Sequence, residues 1–127
     1  MPEYDSKAFG PPAPVALVLV RSPRSGRTAV GVPLLIDSGA DVSCLPQMAV
    51  AELLENDDER TRYEVEAFDG TKSLAAVAQL EIEFLGKSFR GQFLLVNGAY
   101  GYLGRNILNN ISLLLDGPSL KWAENQS

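Results

Sequence analysis

Short apolar runs and alternating apolar and polar positions, separated by turn formers, fill most of the chain and predict strands. Residues 15–21 and 28–36 are two such runs, and Pro23 and Gly26 punctuate the polar stretch between them, which predicts an N-terminal hairpin. The second run ends in Pro33-Leu34-Leu35-Ile36, an unbroken apolar stretch that suits a strand covered on both faces. Asp37-Ser38-Gly39-Ala40 interrupts it with turn formers, and 41–45 reads as extended again. After Pro46, residues 47–55 are good helix formers, with Met48, Ala51 and Leu54, or Val50, Leu53 and Leu54, along one side.

The second half predicts more strands. Residues 63–68 alternate, and Asp69-Gly70 is a two-residue hairpin signal. A long strand over 73–84 follows, placing Leu80, Ile82 and Phe84 on one face and Glu81 and Glu83 on the other. A turn at 85–87 leads to a strand over 88–96, ended by Asn97-Gly98. A short strand over 100–103 and one helical turn over 106–110 come next. Two terminal strands, 111–115 and 119–122, flank Asp116-Gly117-Pro118. Residues 1–14, with Gly10, Pro11, Pro12 and Pro14, read as an extended arm, and 123–127 as a polar tail. The expectation is a mostly β domain over 15–122 with one helix after its first third.

Composition narrows the chemistry. At 127 residues the chain is one domain's worth, large enough to bury a core without staples. A net charge of −5 argues against nucleic acid or an anionic membrane as partner, since both favour a basic face. The single Cys44 excludes an intrachain disulfide and fits a reducing compartment. The chain has no histidine, which removes Ser–His and Cys–His nucleophile pairs and histidine-based zinc sites. Acid–base work would fall to carboxylates, lysine or tyrosine. No apolar stretch approaches the ~20 residues needed to span a bilayer, and the first apolar run is too short for a secretory signal. The expected setting is cytoplasmic, with no metal, cofactor, nucleic acid or membrane.

Two strings stand out. Leu35-Ile36-Asp37-Ser38-Gly39-Ala40-Asp41 puts a carboxylate and a hydroxyl on a tight turn directly after a buried strand. Tyr102-Leu103-Gly104-Arg105-Asn106 lies late in the chain. Together they resemble the retropepsin-like, or retroviral-type, aspartic protease family, which carries two apolar residues before Asp-Thr/Ser-Gly-Ala and a later apolar pair before Gly-Arg-Asn/Asp. The resemblance runs from about Val15 to Trp122 and looks closest to stand-alone bacterial members, judging by 5–14 and 114–118.

The resemblance implies an acid-protease-like closed barrel with a flap hairpin and half an active site per chain. Peptide hydrolysis by a carboxylate pair needs one ionised group to take a proton from water and one neutral group to protonate the carbonyl. Two carboxylates held ~3 Å apart share a proton and supply both. This chain has one Asp-Ser-Gly, so the second aspartate would come from a homodimer partner. Asp37 would be catalytic, Ser38 would lock the two loops together, and Gly39 and Ala40 would complete the loop. Asp41 would pair with Arg105 in a bidentate brace. Leu103 and Gly104 would pack beneath the loop. Phe68, Asp69, Gly70 and Thr71 would form the flap tip over an extended polypeptide substrate, and Tyr100 and Tyr102 would line the pocket. The flap carries one glycine where viral members have several, and the two tyrosines stand where those members often have smaller side chains.

Blander roles compete for some positions. Asp37 could be an ordinary turn or cap acid, Asn106 a helix cap and Cys44 a small buried hydrophobe. Trp122, Phe89 and Phe93 suit a core or a dimer interface. Asp57, Asp58 and Glu59 read as solvent-facing charges rather than metal ligands. The function expected is an aspartic endopeptidase. The alternative is a weak or inactive dimeric module of the same fold that binds peptides by strand addition.

Overall fold

The structure, a computed structural model, describes residues 1–54, 62–66 and 69–126, with the side chains of 62–66 and 73–75 outside the description. Phe68, expected at the flap tip, lies outside the described residues.

The N-terminal hairpin forms as its pattern predicts. Strands β1 (Val15–Arg21) and β2 (Thr28–Ile36) pair antiparallel, with Val15 opposite Leu35 and Arg21 opposite Thr28. After β3 (Cys44–Pro46) the chain enters a 3-10 helix, Gln47–Leu53. The remaining strands are β4 (Arg62–Glu66), β5 (Lys72–Phe84), β6 (Lys87–Val96) and β7 (Gly101–Leu103). Helix α1 (Arg105–Leu108) leads to β8 (Leu113–Asp116) and β9 (Lys121–Glu124).

The main sheet runs in the order β1-β2-β7-β3-β6-β5-β4. It closes because β1 also pairs with β5, Leu19 to Arg21 lying opposite Glu83 to Glu81. Six strands thus make a closed barrel, and β4 pairs with the early part of β5 outside it. Period-two alternation fills the interior with Ala16, Val18 and Val20 from β1, Val32 and Leu34 from β2, and Leu80, Ile82 and Phe84 from β5. On the outer side of the seam Arg21 bridges Glu81 at 3.2 Å and Glu83 at 3.5 Å. These half-buried pairs, still reached by solvent, contribute about 1 kcal/mol each and mainly fix register.

The expected helix over 47–55 is a shorter 3-10 helix instead. Val50 and Leu53 are its buried residues, three apart, and three residues per turn stacks them on one line. Met48, expected on the same side as Ala51 and Leu54, is 87% exposed. The terminal strands begin two residues later than the pattern predicts and form a separate ribbon. Trp122 from that ribbon is buried against Phe84, with ring centroids 6.0 Å apart. Phe93 is buried too, and Phe89 is half-buried against the same core.

The arm is fastened along the molecule. Trp122 N–H donates to the Pro2 carbonyl at 2.9 Å, and Tyr4 N–H to the Leu120 carbonyl at 2.8 Å. A bridge between Asp5 and Ala13 folds the arm back on itself. The Pro14 carbonyl then accepts from Ile36 N–H at 3.0 Å, one residue ahead of Asp37.

Candidate active site

The loop after β2 is shaped by its own turn formers and held by the string around Gly104. Asp37 N–H donates to the Leu103 carbonyl at 3.0 Å, extending the parallel β2–β7 ladder by one rung. The chain then turns: Gly39 N–H donates to Asp37 Oδ1 at 2.9 Å and Ala40 N–H to the Asp37 carbonyl at 3.2 Å. The Asp37 carboxylate is half-buried, while Ser38 and Gly39 form an exposed tip. A β-carbon on Gly39 would lie 3.1 Å from Asp37 Oδ1, so glycine keeps the carboxylate uncrowded.

Helix α1 grips the far side of this loop. Arg105 N–H donates to the Ala40 carbonyl at 2.8 Å, and Asn106 N–H to the Asp41 carbonyl at 3.3 Å. The Arg105 guanidinium divides its fork. One nitrogen meets Asp41 Oδ1 at 3.1 Å, and the other donates to the Ser38 carbonyl at 2.7 Å. The brace expected between Asp41 and Arg105 is present, but it is a single contact rather than a bidentate one. The second arm of the fork goes to backbone because the Ser38 carbonyl at the turn tip otherwise lacks a ladder partner.

Gly104 packs beneath the loop as its place in the string predicts. A β-carbon there would sit 2.6 Å from the Val42 carbonyl oxygen and 2.9 Å from that of Ala40. Gly101 is equally confined, since a β-carbon on it would overlap the Cys44 carbonyl oxygen. Below the loop lies a polar knot that the sequence does not announce. The fully buried Ser43 hydroxyl donates to Asn106 Oδ1 at 2.8 Å and accepts from Gly104 N–H at 2.9 Å. Ser43 N–H reaches the same Asn106 oxygen at 3.0 Å. Asn106 therefore ties α1 to the segment after the loop instead of capping the helix, and Gly104 occupies the cap position.

Strand register defines a face beside the carboxylate. Leu35 of β2, Tyr102 of β7, Cys44 of β3 and Leu94 of β6 lie opposite one another in turn. Their neighbours Leu34, Leu45 and Leu103 point into the core, so this row points outward. Asp37 follows two residues after Leu35, near enough to this row for its charge to act on Cys44. The row ends at Val77, which is opposite Leu94 on β5 and leads toward the β4–β5 hairpin. Tyr102, 39% exposed, stands in its middle. Tyr100 falls on the same face by alternation, and its hydroxyl donates to Asp5 Oδ2 of the arm at 2.7 Å.

Cys44 is half-buried in this row rather than sealed in the core. Burial first, and the neighbouring Asp37 carboxylate second, push its thiol up to about 11. At pH 8 on the order of 0.1% of it is thiolate. Alkylation by iodoacetamide is expected to run well below the rate of free cysteine at pH 8 and to climb about tenfold per pH unit toward pH 11. A rate equal to that of free cysteine would contradict this environment.

At the expected flap tip, Gly70 adopts φ 86, which glycine takes without strain. Thr71 N–H donates to Asp69 Oδ1 at 2.9 Å. Hydrogen bonds from Thr71 hold the Asp69 carboxyl below its usual range. Among the described residues no group of His, Cys, Asp and Glu could hold a metal ion, and no helix is long and apolar enough to cross a membrane. Asp57, Asp58 and Glu59 lie outside the described residues.

Comparison with known proteins places this architecture. Among solved structures, EIAV protease complexed with the inhibitor HBY-793 superposes with a TM-score of 0.56 at 22% identity. The match covers 77% of this chain and 86% of that one, and at this identity it speaks to the fold alone. No match is found among curated protein sequences. The family model for retroviral aspartyl protease matches residues 25–116, which include both the Asp37 loop and the Gly104 string. With most of its length under that match, the chain belongs to the retroviral aspartyl protease family.

Proposed function

We propose that this protein is an aspartic endopeptidase whose active site is completed by a second copy, each chain supplying one Asp37. The observation that carries the reading is the Asp37 carboxylate, half-exposed on a loop fixed by Leu103, Arg105 and the Ser43–Asn106 knot. It opens on an apolar row long enough to receive an extended peptide. Such rigid positioning is what a proton-transfer group needs.

In this reading two Asp37 carboxylates meet across a two-fold axis and share one proton. The ionised one removes a proton from water, and the water oxygen attacks the scissile carbonyl. The protonated one donates to the carbonyl oxygen. The tetrahedral intermediate then collapses as the amide nitrogen is protonated and leaves, and no covalent bond to the enzyme forms. Ser38, exposed beside Asp37, would meet its counterpart across the axis, and residues 69–71, between β4 and β5, would close over the peptide. The exposed Leu114, Leu115 and Leu120 of the terminal ribbon support an interface there.

The test is cleavage of an unfolded protein between about pH 4 and pH 7, with and without a statine-type inhibitor, across a dilution series. Inhibited cleavage whose specific activity falls at low concentration supports the shared site. Specific activity that stays constant on dilution, while the protein passes from dimer to monomer, would sink it. No cleavage by a demonstrated dimer would favour the peptide-binding module.

A further inference from the structure

Tyr100 is held from two sides by a segment outside the barrel. Its hydroxyl donates to Asp5 Oδ2 at 2.7 Å, and its ring meets that of Phe9 edge-on, with centroids 5.1 Å apart at 70°. Asp5 is itself fixed, since its Oδ1 accepts from Lys7 N–H and Ala8 N–H, both at 3.0 Å. The arm that presents these residues is anchored at one end on β9 and at the other on the end of β2. Consistent with a persistent bond, Asp5 holds the Tyr100 phenol above its ordinary value. The Ala8 N–H foremost, and Tyr100 next, hold the Asp5 carboxyl below its own.

Tyr102 lies opposite Leu35 on the outward face, and alternation carried one residue ahead of β7 puts Tyr100 on that same side. A tyrosine free to change rotamer would make a pocket of variable width. One whose hydroxyl and ring edge are both engaged cannot retreat without losing a charge-assisted hydrogen bond and an aromatic contact. We propose that the N-terminal arm is a specificity element: Asp5 and Phe9 pin Tyr100 as a fixed wall, which restricts the adjacent subsite to small apolar side chains such as alanine and valine. Asp5 and Phe9 act through Tyr100 and are positioning residues. The inference rests on the reading of Asp37 as the catalytic carboxylate, but its test separates the two.

The test uses peptides that differ only in one residue flanking the scissile bond: alanine, valine, leucine or phenylalanine. Wild type should prefer the small residues. Asp5→Ala, Phe9→Ala and Tyr100→Phe should each raise the phenylalanine-to-alanine ratio of kcat/KM by about tenfold, chiefly through KM. Tyr100→Phe keeps the ring and removes only the latch, so it guards against a result caused by misfolding. A purely structural role for the arm would lower activity on all four peptides together and leave the ratio unchanged, which overturns the proposal. Wild-type preference for phenylalanine also overturns it.

The same ranking is then measured as affinity, by calorimetry on full-length protein carrying Asp37→Asn, alone and combined with each of the three changes. If wild type cleaves nothing but the affinity ranking shifts as described, the catalytic reading fails and the arm's role stands. If cleavage depends on Asp37 but neither ranking moves, the arm's role fails alone. Absence of binding by all four peptides overturns the arm's role.

Discussion

Replacing Asp37 by asparagine is expected to lower kcat for peptide cleavage by roughly a thousandfold or more while leaving the protein folded and paired. In the proposed dimer the loss is large because every chain carries the change, so both halves of the carboxylate pair disappear at once. Neither amide can take a proton from water or pass one to the carbonyl. The fold should tolerate the exchange because the oxygen that holds the turn survives. Gly39 N–H donates to Asp37 Oδ1 at 2.9 Å, and an asparagine oxygen can accept the same bond. Melting temperature and sedimentation should therefore match wild type, and KM should change little. Mixing the variant into wild type should lower activity further than dilution alone, since mixed pairs hold one carboxylate. Wild-type turnover by Asp37→Asn would remove the chemistry from this loop altogether.

The second large effect is expected at Gly104. Alanine there would push its β-carbon to 2.6 Å from the Val42 carbonyl oxygen, 2.7 Å from the Val42 carbonyl carbon and 2.9 Å from the Ala40 carbonyl oxygen. All three are backbone atoms on the segment that follows Asp37, so no side-chain rotation can relieve the clash. Overpacking of this kind costs roughly 1–3 kcal/mol, and the rigid surroundings argue for the upper end. That corresponds to a melting temperature lower by about 10 °C for a domain of this size. The loop would have to move away from α1, stretching the Arg105–Ala40 and Gly104–Ser43 bonds. A displacement near 1 Å at the carboxylate can cost on the order of a hundredfold in rate. Thermal unfolding and cleavage should thus fail together, whereas wild-type values for both would show that the loop has slack which the packing does not reveal.

What the sequence made legible is what short-range pattern controls. The hairpin of β1 and β2 has the predicted bounds, because valine-rich runs flank a proline- and glycine-marked turn. The alternation of Leu80, Ile82 and Phe84 with Glu81 and Glu83 announced which face of β5 fills the barrel. That the strings around Asp37 and Gly104 meet was implied by the family resemblance rather than by local pattern, and the confinement of Gly104 by the Val42 and Ala40 carbonyls is its structural counterpart. Tertiary contact decided the rest. Ser43 looks like any serine after a turn, and nothing local says that its hydroxyl is buried on Asn106, sixty-three positions away. Asn106 has the composition of a cap, yet its oxygen is claimed by another segment. Tyr100 reads as a pocket residue only through the family resemblance, and its bond to Asp5 spans ninety-five positions and depends on how the arm folds back. In the terminal ribbon, Leu113, Leu114 and Leu115 are apolar without alternation, so register there had no local signal and the predicted bounds slipped.

The way the Asp37 loop is tied down bears on assembly and inhibition. Its bonds to Leu103, Arg105 and Asn106 all come from within one chain. In the proposed dimer each chain would therefore bring its loop already ordered, and pairing would not include the entropic penalty of ordering it. Association of this kind resembles the docking of two finished parts rather than coupled folding. If the proposed dimer holds, molecules that occupy the seam between its subunits would leave folded but inert single chains, a mode of blockade that a cleft-directed peptide mimic does not share and that a change inside the cleft would not evade.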